Sequence, residues 1–355
     1  MSLTREQVVQ RVRRGEPIKG ESLAGLSLAG CDLSGAVFEK VHFAGTCLAG
    51  ARLVECMFLD CAMTDADLSD ADCSRSVFVN GEVARSRFNR CRMDHCRLSG
   101  TQVRETDFSS MRASHLMALK GGFESCVFAD ASLQFGVFDE APLARADFSR
   151  AAIDRCFFYR LDLRGVRFDE ASMNEAIFTE SNLAGQSFRG HTLNGCQFFA
   201  ADLRGCDFTS AGLPRCNFQN ANLEGAVLDH AKAPLAIFCG AHLASARCRH
   251  ADLANSVWTD ADAPRIDLTG ADLTGTVFQN ACVSACRFDD AGLRRADFVG
   301  ADLREATFDG AAFERTLFHG ARGDAWLGRR GAIERDEALF AAQEWSRERD
   351  TPTRT

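Results

Sequence analysis

The sequence predicts an all-β solenoid, a chain wound into square coils with a short helical cap at each end. Three observations predict it. An apolar residue, Leu or Phe in most pentads, recurs at every fifth position from Leu23 to Phe318, with no shift of register. The residue two before each such centre is small, and the one between them is mostly Asp, Asn, Ser, Thr or Arg. Alternate positions of a strand point to one side, so the small and large residues face a core and the polar one faces out. Finally, 19 of the 25 glycines between 18 and 320 fall on the fifth position, and Pro214, Pro234 and Pro264 fall on the fourth. Pro then Gly is the pattern of a type II turn, whose second central residue has a positive φ. A strand of three and a turn of two bend the chain every five residues.

Residues 1–17 read as an N-terminal cap. Thr4 with Gln7 makes a capping box, Leu3, Val8 and Val12 share a side, and Gly15 can close the helix in the left-handed conformation. A helix this short needs the first coil beneath it. Residues 18–320 form the coiled body, about 15 coils by the period of twenty. That period comes from the outward positions: Val37, Met57, Val77, Met117, Val137, Phe157, Ile177, Ile237, Val257, Val277 and Leu317 share one spacing, broken by Arg97, Gln197, Asn217 and Asp297. Four pentads per turn place like above like. Inside, the same period stacks Phe138, Phe158, Phe178, Phe198, Phe218 and Phe238 in one column and Phe128, Phe148, Phe168, Phe188 and Phe208 in the column opposite.

One stretch, residues 109–122, is irregular. Its centres shrink to Ala113 and Ala118 while the small slots hold Met111 and Leu116. Either large and small have exchanged places at constant volume, or a bulge or short loop interrupts the coil. Residues 321–355 read as a C-terminal cap. Trp326 and Leu327 are expected over the last Phe layer, and a helix is expected over 332–348 with Ala338, Leu339, Ala341, Ala342 and Trp345 on its apolar side. An open final rung would expose ladder hydrogen bonds, which is why a cap is needed. Residues 350–355 are expected to be a disordered tail.

The pentads, ADLRG at 201–205 and ANLEG at 221–225 among them, resemble the pentapeptide-repeat family, whose motif is A-[DN]-L-x-x. The resemblance covers residues 18–320 and implies a right-handed quadrilateral β-helix. It specifies function less, because the family is a scaffold used for several tasks. The run LTREQVVQRVRRGEPIKGESLAGLSLAGCDLSG also resembles members associated with bacterial type VI secretion clusters. Other members are DNA mimics that occupy the DNA saddle of gyrase, which gives an alternative function with gyrase as partner. Those carry dense acidic ladders. Here Asp162, Asp202 and Asp302 are each followed two residues on by Arg164, Arg204 or Arg304, which dilutes the field.

Composition narrows the classes. With 28 Phe against 3 Trp and 1 Tyr, nearly every ring can be buried without a polar handle. A net charge of -8 disfavours direct nucleic-acid binding. Eleven of the 16 cysteines (Cys31, Cys56, Cys61, Cys91, Cys96, Cys126, Cys156, Cys196, Cys206, Cys216, Cys286) occupy the small slot, as compact hydrophobes. So many unpaired thiols imply a reducing compartment, and no run is long enough for a membrane span or signal peptide, so a cytoplasmic protein is expected.

No catalytic, cofactor or metal site can be named, and an enzyme is not expected. Cys91, His95 and Cys96 have metal-like letters, but the pentad directs both thiols inward and the imidazole outward. The run His242–His250 reads as a solvated basic patch that places His230 beside His250, and Asp162, Asn182, Asp202 and Asn222 as a structural ladder. The anomaly is the apolar outward series. It holds eleven apolar residues in fifteen positions, while the other walls hold two or three each. High β-propensity should act on all four walls alike. An apolar stripe on one wall predicts a protein–protein interface, for a partner or a second copy. Its candidate residues are Val37, Met57, Val77, Val137, Phe157, Tyr159, Ile177, Phe199, Ile237, Val257, Val277 and Leu317.

Overall fold

A computed structural model describes residues 3–350. It comprises two compact units, one built on the chain up to Leu183 together with His191–Ala201, the other on Ala184–Gly190 and the chain from Asp202 onward. Each unit is a parallel β-coil that closes once every twenty residues.

The backbone hydrogen bonds show why five residues make a side. Leu23 N–H donates to the carbonyl of His42 one coil on (2.9 Å), and His42 N–H donates back to Glu21 (3.1 Å). Gly25 N–H donates to Ala44 (2.8 Å), while Leu26 N–H turns back to Leu23 (3.0 Å) and closes the two-residue bend. The second unit repeats the scheme at Leu203, Gly205 and Cys206. Turn and strand amides alike are therefore paired, as buried backbone requires.

The fifth position is left-handed, as the turn type predicts, yet glycine is not obligatory there. Glu55 (φ 59°), Phe135 (φ 54°) and Leu235 (φ 62°) adopt it too. Each such residue costs about 1–2 kcal/mol. The amide bond to the next coil, such as Glu55 N–H to Ser74 (2.9 Å), holds it there.

In the first unit three sides are regular sheets. One runs through Ile18–Lys19, Val37–Glu39, Met57–Leu59, Val77–Val79, Arg97–Ser99, Met117–Leu119, Val137–Asp139 and Phe157–Tyr159. A second contains Ala62–Thr64, Glu82–Ala84, Gln102–Arg104 and Gly122–Glu124. A third contains Arg112–Ser114, Ser132–Gln134, Ala152–Asp154, Ser172–Asn174 and Leu193–Asn194.

The core is columnar. Phe138, Phe158 and Phe178 stack at 5.2 Å, and Phe128 stacks on Phe148 at 4.7 Å. The two columns meet edge to face, Phe128 against Phe138 at 6.4 Å and 85°. In the second unit Trp258 lies within such a column, 4.3 Å from Phe238, and its indole N–H donates to Ser256 Oγ at 2.8 Å.

The small slot does more than save space. Thr46 Oγ1 donates to the Leu23 carbonyl (2.7 Å), Thr276 to Leu253 (3.0 Å), and the Cys286 thiol to Ala263 (3.0 Å). Each acceptor lies 23 residues back, so Ser, Thr and Cys share one geometric role here.

Through 109–122 the coil keeps its register. Met111 and Leu116 are buried opposite buried Ala113 and Ala118, and Met117–Leu119 pairs in step with Arg97–Ser99 and Val137–Asp139. Large and small have exchanged places. At Gly121 a Cβ would lie 2.2 Å from the Thr101 carbonyl oxygen, so only glycine fits.

At the N-terminal end α1 (Arg5–Arg13) carries the predicted capping box, with Gln7 N–H donating to Thr4 Oγ1 at 3.3 Å and Thr4 N–H to Gln7 Oε1 at 2.8 Å. Val8 is fully buried. The C-terminal end differs from the sequence expectation. Trp326 does stack on Phe318 at 4.8 Å. However, Ala332–Ile333 is a strand paired with Thr316–Leu317, and α2 (Glu337–Asp350) begins only afterwards. The strand takes the ladder bonds, Phe318 N–H to Ile333 at 2.8 Å, so no helix is needed to seal that edge. Leu327 and Trp345 are accordingly 55% and 57% exposed. Residues 351–355 of the expected tail lie outside the described residues. Among the described residues no helix is long and apolar enough to cross a membrane.

Candidate interaction surface

The eight-stranded sheet of the first unit carries the apolar stripe. Its strands pair Val37 with Met57, Met57 with Val77, Met117 with Val137 and Val137 with Phe157, and Ile177 bridges to Phe157. Met57, Met117 and Phe157 are exposed at 40–42%, while Val37, Val77, Val137 and Ile177 are half-buried by their neighbours. The third strand position widens the stripe with Leu59, Val79, Leu119 and Tyr159, all half-buried, and Phe199 lies at the same position beyond the last strand. In the second unit Ile237 bridges to Val257 and Val257 to Val277. Leu317 there pairs with Ile333, so the C-terminal strand already covers one of its sides.

Two corners frame the first unit's sheet. On one, His95 stacks on His115 at 4.8 Å and His115 on Phe135 at 5.0 Å, while the Arg155 guanidinium lies 5.0 Å from the Phe135 ring and 3.2 Å from Glu175. On the other stand Lys120, Glu140 and Arg160, the last covering Tyr159 at 4.6 Å and pairing with Glu180 at 2.7 Å. Rings and long charged side chains thus border a central apolar strip.

The remaining polar candidates are structural in geometry. Cys91 and Cys96 are buried and His95 is exposed, so they do not converge. Among the described residues no group of three or more His, Cys, Asp or Glu is placed to hold a metal. His230 stacks on His250 at 5.3 Å. Nearby, Arg247 pairs with Asp229 and Arg249 with Asp267. Arg164 grips Asp162 through both oxygens (2.9 and 2.7 Å), and Arg204 and Arg304 grip Asp202 and Asp302 in the same way. The Arg164 and Arg304 guanidiniums hold the Asp162 and Asp302 carboxyls below their ordinary value.

One feature escapes the pentad reading. Asp65, Asp67, Asp70 and Asp72 form an acidic rung, and twenty residues on Arg85, Arg87, Arg90 and Arg92 form a basic one. Arg85, Arg87 and Arg90 meet the first three acids at 3.0, 2.8 and 2.7 Å, whereas Arg92 turns to Asp94 at 2.6 Å. The Arg85 and Arg90 guanidiniums hold the Asp65 and Asp70 carboxyls below their ordinary value. The signal was available in the twenty-residue offset of D-x-D-x-x-D-x-D and R-x-R-x-x-R-x-R.

Five-residue sides, left-handed corners and stacked core columns define a right-handed quadrilateral β-helix. The family model described as pentapeptide repeats matches residues 22–54, 71–109 and, in overlapping copies, 141–257 and 259–320. The chain belongs to the pentapeptide-repeat family. Among solved structures it is similar to HetL, a pentapeptide repeat protein involved in heterocyst differentiation regulation from the cyanobacterium Nostoc sp., at 22% identity over 71% of this chain and 91% of that one, with a TM-score of 0.20. It is also similar to full-length QnrB1, a plasmid-mediated fluoroquinolone resistance protein, at 17% identity over 71% and 92% of the two chains and a TM-score of 0.20. A pentapeptide repeat protein from the Arabidopsis thaliana thylakoid lumen matches at 25% identity over 38% and 69%, with a TM-score of 0.18. No curated protein matches the sequence.

Proposed function

We propose that this protein is a non-enzymatic scaffold that engages another protein through its apolar wall. The observation that carries the reading is the contrast between walls. In the first unit, the sheet bearing Met57, Met117 and Phe157 leaves these three side chains exposed, with half-buried Val77 and Val137 on rungs between them and Arg97 as the one charged interruption. The sheet bearing Gln102, Glu82 and Arg104 presents charge instead. Contiguous exposed apolar surface of this kind marks an interaction site. An accessory role in type VI secretion is compatible with the N-terminal resemblance and needs no catalytic group. The alternative, mimicry of DNA toward gyrase, is less favoured because Asp162, Asp202 and Asp302 are each neutralised by a two-pronged arginine. Replacing Phe157 and Ile177 together by Asp should abolish association and leave the circular dichroism spectrum unchanged. Unaltered solution mass and unaltered partner capture in that variant would refute the reading, and inhibition of gyrase supercoiling by the pure protein would favour the alternative.

A further inference from the structure

We propose that the wall carrying the strand Arg112–Ser114 holds a phosphate-monoester site, gathered around Arg112 where that wall meets the corner of Arg90 and Ser110. The site is separate from the apolar wall and does not depend on how that wall is read. An open depression of about 590 Å³ lies there, lined by Arg90, Cys91, Arg92, Asp94, Ser110 and Arg112.

Charge along this wall alternates and then ceases to. One coil apart, the outward residues run Asp32, Arg52, Asp72, Arg92 and Arg112, each bridged to the next. Arg92 and Arg112 are therefore like charges on adjacent rungs, ~4.8 Å apart along the backbone, a pairing that is unfavourable without an anion beside it. Elsewhere an outward arginine finds its acid at an offset of 2, 18 or 20 residues, as Arg164 does with Asp162, Arg247 with Asp229 and Arg85 with Asp65. For Arg112 those offsets reach only two acids, Asp94 and Asp130. Asp94 accepts the Ser114 N–H on one oxygen at 2.9 Å and Arg92 Nε on the other at 2.6 Å. Asp130 is gripped through both oxygens by Arg150, at 2.8 and 2.7 Å. Arg112 is exposed, and among the described residues no hydrogen bond or ion pair engages its guanidinium.

Unused donors converge on the same depression. Arg90 gives Nε and one terminal nitrogen to Asp70, both at 2.7 Å, and Arg92 gives only Nε to Asp94, so the rest of each fork is left over. The Ser110 hydroxyl has no partner among the described residues. Cys91 contributes backbone alone, since its carbonyl accepts the Arg112 N–H at 2.9 Å and its buried thiol donates inward to the Leu68 carbonyl at 2.7 Å. Guanidiniums from two neighbouring rungs and a corner approach from separate directions and suit an acceptor with more than two oxygens. A carboxylate offers two oxygens in one plane, which a single fork satisfies. A phosphate monoester offers three terminal oxygens and about −1.5 to −2 charges at pH 7. The uncompensated charge of Arg112 thus selects a phosphoryl group, carried on a modified side chain or on a free metabolite.

Isothermal titration calorimetry on the full chain at low salt tests the proposal, with inorganic phosphate, O-phosphoserine and adenosine monophosphate as ligands. A dissociation constant of roughly 0.1–1 mM is expected for at least one of the three, as suits an exposed site open to screening. Tighter binding of phosphoserine would assign the group to a modified protein, tighter binding of the nucleotide to a free metabolite, and equal binding to the phosphoryl group alone. Arg112→Ala should weaken binding at least about tenfold, and Arg112→Lys about threefold, because lysine keeps the charge without the fork. Ser110→Ala, at a corner conformation that Ala200 and Ala285 already adopt, should weaken it about two- to threefold. Arg52→Ala, on the same wall but beside Asp32 at 3.7 Å, should leave it unchanged. Phosphoserine binding should also fall as the pH drops through about 6, where the ester takes up its second proton while arginine stays charged. Absence of binding for all three ligands at about 10 mM, or binding that survives Arg112→Ala, overturns the proposal.

Discussion

Replacing Phe158 by alanine tests whether the core columns hold the coil together. Phe158 is fully buried, stacked at 5.2 Å on both Phe138 and Phe178 and edge-on to Phe148 at 6.1 Å and 88°. Removing a buried Phe side chain typically costs about 3–5 kcal/mol. Aromatic contacts of this kind add roughly 0.5–1.5 kcal/mol beyond area burial, which puts Phe158→Ala at the upper end of that range. Leucine is the test of specificity, because Leu98 is buried at the same column position three coils earlier, where the coil keeps its register. Phe158→Leu should therefore cost only about 1.5 kcal/mol. Urea unfolding gives both values. Hydrogen exchange should place the loss on the amides of the coils from Phe138 to Phe178, because stability in a stacked array is local to neighbours. A loss under about 1.5 kcal/mol for alanine, or equal losses for alanine and leucine, would show that the columns are passengers and that the backbone ladder alone holds the coil.

Two other outcomes are expected. The carboxyls of Asp65, Asp70 and Asp130 are held below their ordinary value by hydrogen bonds from Arg85, Arg90 and Arg150. As pH falls the unfolded chain therefore takes up these protons first, so their contribution is whole above about pH 4 and is lost as pH drops below it. The urea midpoint should decline from pH 5 to pH 3. The decline should be shallower in Asp70→Asn and in high salt, since these pairs are fully exposed. The core thiols should be inert in the native protein. Burial pushes Cys126, Cys156 and Cys196 up to about 12, so a thiol reagent at pH 8 should label them only at the rate of opening, and in full once urea is added. Rapid labelling of these three in the folded chain would contradict a dry core.

Much of this architecture was legible because a coil of constant circumference writes itself into the sequence as two periods. Five places Leu23, Leu28 and Leu33 on successive walls, and twenty places Phe138 over Phe158. The exchange of Met111 and Ala113 was only half readable: conserved volume across the core allowed it, but a bulge of whole pentads fitted the same letters. The C-terminal cap was not. Ala332 and Ile333 carry helix-compatible letters, and only the open ladder at Thr316–Leu317 makes them a strand. The residues at positive φ were half legible. Glycine marks such corners, but Phe135 and Leu235 reach the same conformation because bonds to adjacent coils impose it. For the interaction surface, the stripe could be read from spacing alone. The corners that border it, His95 on His115 and Arg155 on Phe135, required knowing which turn residues stack.

The fixed circumference also limits how such a chain can change length. Excising twenty residues anywhere in the repeat would delete one whole course and leave every remaining side chain on its old wall. Excising five would turn everything downstream through a quarter circle, carrying hydrophobic faces round to where charged ones had been and breaking the facing rows of aspartate and arginine. Growth and loss by complete courses alone is thus the inheritance rule this geometry imposes.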